Sequence, residues 1–263
     1  MEDYTNPELQ EEEILEEEEE LSFSDKIVGL FTEPSATFES IAKYDLKFVD
    51  WFLPFFILMI VLLSSQFILA INPEIELEMF QQASETIQKS VDAGDITQQQ
   101  AEMQLDFMKT PMFAVIQIIG GSIASFFMFF VIVTFYFILA KFALKGDGSY
   151  KGAMVATSFP AFITLVQMIL LIIVSFAFGT HVKSFSLTTL LDLDIKTFAG
   201  FILSKIDPFT IFSFTVTGIA FAKLFKSEDV KKYVFAIIGS WLGFSLLIFA
   251  LSKSIPFFDN FIQ

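Results

Sequence analysis

The chain has 263 residues, of which 54% are hydrophobic and 36 are Phe, and its mean hydropathy is +0.64. A water-soluble surface cannot be built from this composition, so a soluble globular protein is excluded and an integral membrane protein is predicted. The net charge is −15, but all 16 basic residues are Lys. The planar fork with which Arg grips phosphates is therefore missing, and nucleic acid is not an expected partner. Because there is no Cys, thiol chemistry and cysteine metal sites are excluded.

The region before the first apolar run falls into two parts. Residues 1–20 hold 11 of the 31 acidic residues, so a disordered acidic tail on the cytoplasmic side is predicted for residues 1–21. Residues 22–50 contain short amphipathic runs. They predict a segment that lies at the membrane interface and leads into the first span, with Lys26, Lys43 and Lys47 facing anionic headgroups.

Long uncharged runs predict an all-α protein whose five transmembrane helices form a bundle over residues 51–252. The first run is long enough, at about 1.5 Å per residue, to cross a hydrocarbon core of about 30 Å. The fourth run is the shortest, and we expect residues 198–204 to extend it or to form a separate turn before Asp207. The spans are predicted at about 51–71, 112–140, 161–179, 208–222 and 233–251.

The lysines in the connecting loops predict the orientation of the chain. Residues 141–152 and 223–232 hold seven lysines in 22 positions, whereas residues 72–110 and 180–207 hold five in 67. The positive-inside rule therefore predicts a multi-pass protein of the cell's inner (cytoplasmic) membrane with a cytoplasmic N-terminus. The C-terminal tail, residues 253–263, is then external.

The longest loop, residues 73–110, carries apolar side chains near helical spacing on both sides of a break at Gly94. It predicts an external helical hairpin with one apolar face. That face either covers the outer end of the bundle or binds a partner.

The predicted spans offer little for catalysis. Their cores contain no ionisable side chain, and the single histidine, His181, is expected to be a solvated loop residue. Ion-coupled transport, metal catalysis and nucleophilic catalysis each need such groups, so we expect no catalytic residue, no cofactor and no metal site, and no enzyme. Gln66, Gln117 and Gln167 are the most polar groups at depth, and we expect them to hydrogen-bond between helices or to backbone.

Small residues four apart occur in three spans and predict faces where helices approach closely. These faces serve contacts within one bundle or, alternatively, a seam with a second copy of the chain. The pairs are Gly121 with Ser125, Gly218 with Ala222, and Gly239 with Gly243.

Three stretches together resemble the Yip (Ypt-interacting protein) domain family in its bacterial form. They are LFTEPSATFESIAKY at 30–44, GDGSYKGAMVATSFPAFI at 146–163, and IDPFTIFSFTVTGIAFAKLFKSEDVKKYVFAIIGSWL at 206–242. The resemblance covers most of residues 25–252 and implies a five-helix domain with a cytoplasmic N-terminus and an external C-terminus. It supplies no catalytic residues.

The family's eukaryotic members bind small GTPases and act in vesicle traffic. The acidic, tyrosine-containing motif that they carry before the first span is not evident here, so GTPase binding is not transferred. For the family's bacterial members, the resemblance implies a role beside ABC-type exporters in some cases.

The leading hypothesis is a non-enzymatic membrane adaptor or organiser that contacts the lipid bilayer and an unidentified membrane or cytoplasmic protein. The alternative is a transport component, either a small permease or an accessory subunit of an ABC-type exporter. A cytoplasmic partner surface is predicted from residues 34–44, 146–152 and 226–232. Its candidate residues are Pro34, Phe38, Gly148, Tyr150, Lys151, Lys231 and Lys232.

Overall fold

The computed structural model describes residues 20–255 and residue 258, so most of the predicted acidic and C-terminal tails lie outside it. The regular structure of the described part is entirely helical, as predicted. Its helices are α1 Phe23–Thr32, α2 Pro34–Lys43, α3 Phe48–Leu69, α4 Pro73–Asp92, α5 Gln98–Met108, α6 Pro111–Ile138, α7 Tyr150–Ser158, α8 Ala161–Phe178, α9 Leu187–Leu190, α10 Phe198–Ser204, α11 Pro208–Leu224 and α12 Val230–Ser252.

Four helical stretches of the described chain are long and apolar enough to cross a membrane. They are α3, α6 with the π-helical turn Leu139–Ala143 that continues it, α7 with α8, and α12. A fifth span results if α10 and α11 are counted together, although the pair is bent by 59°. The chain is therefore a multi-pass membrane protein with four or five spans.

The third span begins earlier than the sequence predicts, at Tyr150 instead of about residue 161. The predicted boundary lies directly after Pro160, but this proline does not end the helical stretch. It lies between α7 and α8, where Phe159 still donates its N–H to the carbonyl of Val155 and Ile163 donates to the carbonyl of Pro160. Pro160 is the N-cap residue of α8, where the N–H that proline lacks would have no intrahelical partner anyway, so the helical path continues past it.

The two lead-in helices are part of the protein core. The side chains of Leu30 and Phe38 are fully buried, and the Phe38 ring meets the edge of the Phe159 ring with centroids 6.1 Å apart. Lys26 is buried too, with its ammonium 3.0 Å from Glu20 and 3.4 Å from Asp50. The predictions that Lys26 faces lipid headgroups and that Phe38 lies on an open partner surface are therefore wrong. The apolar face of α2 packs against α11 instead.

The helical hairpin expected at 73–110 is present as α4 and α5, joined by a turn in which Gly94 has a φ of 77°. Asn72 caps α4 with its side-chain oxygen and Pro73 occupies the first helical position, which is the usual chemistry of a helix start. The side of the membrane on which the hairpin lies stays a prediction.

Two of the small-residue faces meet a neighbouring helix. A Cβ at Gly218 would lie 2.5 Å from Cα of Val234, so α11 and α12 touch backbone to backbone, and Ala222 is fully buried in the same helix. A Cβ at Gly121 would lie 2.7 Å from Cδ2 of Leu63, where α6 meets α3. Ser125, one turn further along α6, is half-buried.

The glycine pair of α12 lies in a different setting. Apart from the adjoining residues and backbone of α12 itself, no heavy atom of the described chain comes within 4 Å of a Cβ built at Gly239 or Gly243. Packing within the bundle therefore does not account for this pair, and the seam with a second copy stays a prediction.

Candidate functional site

The connections between helices converge at one end of the bundle, which we call the loop face. It comprises three connections with the helix ends that flank them. These are the α2–α3 connection at 44–47, the α6–α7 connection at 144–149, and the α11–α12 connection at 225–229. The last two are hydrogen-bonded, because the N–H of Asp147 donates to the carbonyl of Phe225 over 2.9 Å. The opposite end, which carries α4 and α5, is the hairpin end.

Two lysines fix the α6–α7 connection in place. The Lys141 ammonium lies 3.3 Å from both the Asp147 carboxylate and the carbonyl oxygen of Gly148. Lys232 reaches across from α12 and donates to the carbonyl of Leu144 over 3.1 Å. A cation at the carboxyl end of a helix is favourable because unpaired carbonyls are concentrated there.

The two glycines of this connection allow close approach. Neither has a positive φ, so glycine is not required here by the backbone conformation. A Cβ at Gly148 would lie 2.5 Å from the Phe225 ring, and one at Gly146 would overlap the Tyr233 hydroxyl. Glycine is needed here because the connection lies directly on buried aromatic side chains.

A pocket of about 600 Å³ opens on the loop face. All three segments predicted for the partner surface contribute to it, through the end of α2, the α6–α7 connection and the end of α11. Its lining residues are Ala42, Tyr44, Asp45, Leu46, Asp147, Gly148, Ser149, Lys151, Leu224 and Lys226. Asp45 and Asp147 were not among the candidate residues, because their proximity results from tertiary packing.

Four lysine side chains of the loop face are exposed and make no hydrogen bond or ion pair within residues 20–255. They are Lys145, Lys151, Lys226 and Lys231. Lys145 and Lys226 also have left-handed backbones, with φ of 60° and 55°, a conformation that costs side-chain-bearing residues about 1 kcal/mol or more. The lysines on this face thus divide into a structural group and an unpaired group.

Lys223 belongs to the structural group. Its ammonium lies 2.6 Å from the Glu39 carboxylate and ties α11 to α2. This hydrogen bond holds the pKa of Glu39 below its ordinary value. Both partners are solvent-accessible, so the pair fixes geometry more than it stabilises the fold.

The remaining candidate residues differ in their exposure and in their hydrogen-bond partners. Gly148 and Lys151 line the pocket and Lys231 is exposed, whereas Lys232 is engaged with Leu144 as described. Tyr150 is half-buried, and its hydroxyl shares a 2.9 Å hydrogen bond with that of Thr134 on α6. Pro34 is half-buried at the first position of α2.

Away from the loop face, Gln167 and Asp207 form a polar pair that the sequence reveals only in part. The Gln167 amide donates to both carboxylate oxygens of Asp207, at 3.1 and 3.2 Å, as expected for an interhelical bond. The buried Asp207 carboxylate also accepts from the backbone N–H groups of Phe185 and Thr210. Among the described residues, no three His, Asp or Glu side chains are grouped to hold a metal ion.

Comparison with known proteins gives one match. The Yip1 domain family model matches residues 28–252, whereas no curated protein and no solved structure matches the chain. The matched region begins in α1 and ends with α12, so it includes the lead-in helices, the hairpin, the spans and every connection of the loop face. The chain therefore belongs to the Yip1 domain family.

Proposed function

We propose that the protein is a non-enzymatic membrane adaptor whose loop face docks a cytoplasmic or membrane protein. In this proposal the N-terminus and the loop face lie in the cytoplasm and the C-terminus is external, as the distribution of lysines favours. The observation that carries the proposal is the set of unpaired lysines around a pocket built from three separate connections.

The backbone at Lys145 and Lys226 supports a functional role for these side chains. Glycine or asparagine would occupy a left-handed position at lower cost. The presence of a lysine at both turns is explained if its side chain is needed for contacts outside the protein.

The charges on this face define the chemistry of the partner. Lysine ammonium groups act as mobile point charges with three donors each, and they suit carboxylates displayed on a flexible or irregular surface. Asp45 and Asp147 at the pocket wall would accept hydrogen bonds from the partner's backbone N–H groups. We therefore infer an acidic protein segment as the occupant, bound with a strong dependence on ionic strength.

The competing explanation is that these lysines only set orientation and attract anionic lipid. Each lysine near such a surface contributes about 1 kcal/mol, and four would suffice for that role. This explanation requires neither a pocket nor left-handed turns.

The two explanations are separated by crosslinking in cells. A photoreactive amino acid at Ala42, an exposed pocket residue, is expected to give a protein adduct. The adduct should be lost in the Lys151→Glu/Lys226→Glu variant, in which the two pocket lysines are reversed.

Lys89→Glu/Lys109→Glu serves as the matched control, because it also reverses two exposed lysines, both of them on the hairpin. It should leave the adduct unchanged. Adducts only with lipid, or an unchanged protein adduct after reversal of the pocket lysines, would contradict the adaptor proposal.

A further inference from the structure

The hairpin end contains a cavity that the loop face does not explain. It has a volume of about 650 Å³, and its walls are α4, α5, the last turns of α3 and the first turns of α6. Known ligand sites cover about 300 to 1,000 Å³. A second cavity of about 230 Å³ adjoins it, since Gln66, His181 and Lys183 line both.

The lining of the larger cavity is amphipathic. The hairpin contributes Met79 and Phe80, and α6 contributes Phe113, which together form an apolar wall. The polar wall consists of Gln66, Gln117 and the loop after α8. One turn below the two glutamines α3 and α6 close together, because Gly121 admits the Leu63 side chain. The cavity therefore lies at the hairpin end of α3 and α6 and opens into the gap between these two helices.

Three polar groups at this cavity have no partner within the described residues. The Gln66 and Gln117 side chains are exposed and make no hydrogen bond there, and Nδ1 of His181 is buried without one. Such groups are costly at the end of a membrane span unless a ligand or water satisfies them. Gln167, the third glutamine at depth, hydrogen-bonds to Asp207. Among the three glutamines, only the two that line this cavity therefore lack a hydrogen-bond partner within the described residues.

The loop that carries His181 is held in place by the hairpin. Glu78 on α4 accepts from the Thr180 hydroxyl and from the His181 backbone N–H, both at 2.8 Å. The Val182 N–H donates to the Ser175 hydroxyl on α8 over 3.0 Å. The imidazole is therefore positioned by its neighbours, and the expectation of a solvated loop histidine is wrong.

The charged groups at the cavity are of both signs. Lys89 and Lys183 are exposed and make no ion pair in the described part of the chain. Glu76 and Glu85 are exposed beside them. Burial lowers the pKa of His181, helped by Lys183 and opposed by Glu78, so the ring is neutral near pH 7.

We propose that this cavity binds one phospholipid from the surrounding bilayer, with its phosphate on the amide and lysine groups and an acyl chain along the hairpin's apolar wall. The amides and the lysines supply the donors that a phosphate requires. The two acids favour a headgroup that also carries an ammonium, so a zwitterionic phospholipid should bind more tightly than one with a purely anionic headgroup. In this proposal the acyl chain enters from the bilayer, because the cavity lies at the ends of the membrane helices α3 and α6.

The test is native mass spectrometry of the full chain purified in mild detergent and supplied with phosphatidylethanolamine or phosphatidylglycerol. One retained phospholipid per chain is expected, with phosphatidylethanolamine preferred. The Gln66→Leu/Gln117→Leu variant should retain about a hundredfold less, because two donors to a charged group are lost. Gln99→Leu, which removes an exposed amide on α5 that does not line the cavity, should retain the same amount.

A second variant keeps the test decisive if the double variant fails to fold. Ala83→Trp would fill the cavity from the hairpin side and should also abolish retention. Equal retention by all variants, or no phospholipid on the original chain, would overturn the proposal. If inorganic phosphate raises the thermal stability of the protein as much as phospholipid does, the proposal is also overturned, and the site is one for a soluble anion.

Discussion

Lys145 and Lys226 each adopt a left-handed backbone conformation on the loop face, with φ of 60° and 55°. At Lys226 the turn ends α11, and the N–H of Ser227 donates to the carbonyl of Ala222 over 2.9 Å, a closing pattern in which glycine is normally preferred. No sequence signal marks either position. The strain arises from how the loop meets the core, which only the structure reveals.

Replacing Lys226 by Gly should stabilise the protein by about 1 kcal/mol while it weakens partner binding. The thermal midpoint in detergent and the yield of the Ala42 crosslink would measure the two effects. Lys231→Gly is the matched control, because it puts glycine inside α12 and should lower the midpoint. If Lys226→Gly also lowers the midpoint, the left-handed turn is not a source of strain.

The glycines of α11 and α12 give a second prediction at this scale. Gly218→Ala should destabilise the protein by about 1 to 3 kcal/mol, because its methyl group would meet the Val234 backbone, which cannot move without separating the helices. Gly239→Ala should leave the thermal midpoint unchanged or raised, since its Cβ would meet open space. A shift of Gly239→Ala to a different oligomeric state, seen by size exclusion with light scattering, would assign its face to a seam between copies.

The predictability of each element depended on how much tertiary information it required. Uncharged runs sufficed to predict four of the five expected membrane helices, because the bilayer demands length and hydropathy of each span separately. The lead-in helices were misplaced, since an apolar face looks the same in sequence whether it meets lipid or α11. The buried pair of Lys26 and Asp50, 24 residues apart, had no local signal.

The candidate site followed the same rule. The lysine-rich connections were predicted, because their charges are counted directly from the sequence. Which lysines are structural was not predictable, since Lys141, Lys223 and Lys232 find their partners only after the helices pack. The cavity at the hairpin end was missed because its unpaired groups are far apart in sequence.

The attachment of the hairpin gives a prediction at the scale of elements. Burial tends to raise the pKa of Glu78, but hydrogen bonds from the His181 N–H and the Thr180 hydroxyl outweigh it, so the pKa is below 4.5. A carboxyl with a lowered folded-state pKa stabilises the fold above its unfolded value, and that stability is lost as the pH falls through the folded pKa. Acidification through and below pH 4.5 should therefore loosen the hairpin.

Glu78→Gln should reproduce this loosening at neutral pH. Hydrogen exchange should rise in α4 and in residues 180–183, and stay unchanged in α11 and α12. Glu102→Gln, an exposed change on α5, is the control and should leave exchange unaltered. Equal exchange in both variants would show that the hairpin is held by its apolar contacts alone.

The molecule as a whole is packed unevenly along its spans. The main core cluster lies toward the loop face, where Phe38, Phe159, Phe221, Phe225 and Tyr233 are fully buried. Toward the hairpin end most side chains of α6 from Met112 to Met128 are exposed, and the 650 Å³ and 230 Å³ cavities lie at that end. Protein docking at the loop face requires well-packed helices that hold the loops in place. Phospholipid binding requires the cavity at the hairpin end to be open.

The roles proposed for the two ends depend on the predicted orientation of the chain in the membrane. The chain has no native cysteine, so single cysteines report without background. Ser35→Cys on α2 and Gln99→Cys on α5 are both exposed and neutral changes. In intact cells a membrane-impermeant maleimide should label residue 99 and spare residue 35, and permeabilised cells should show labelling at both. Labelling of residue 35 from outside would invert the topology, placing the loop-face lysines outside the cell and ruling out a cytoplasmic partner for them.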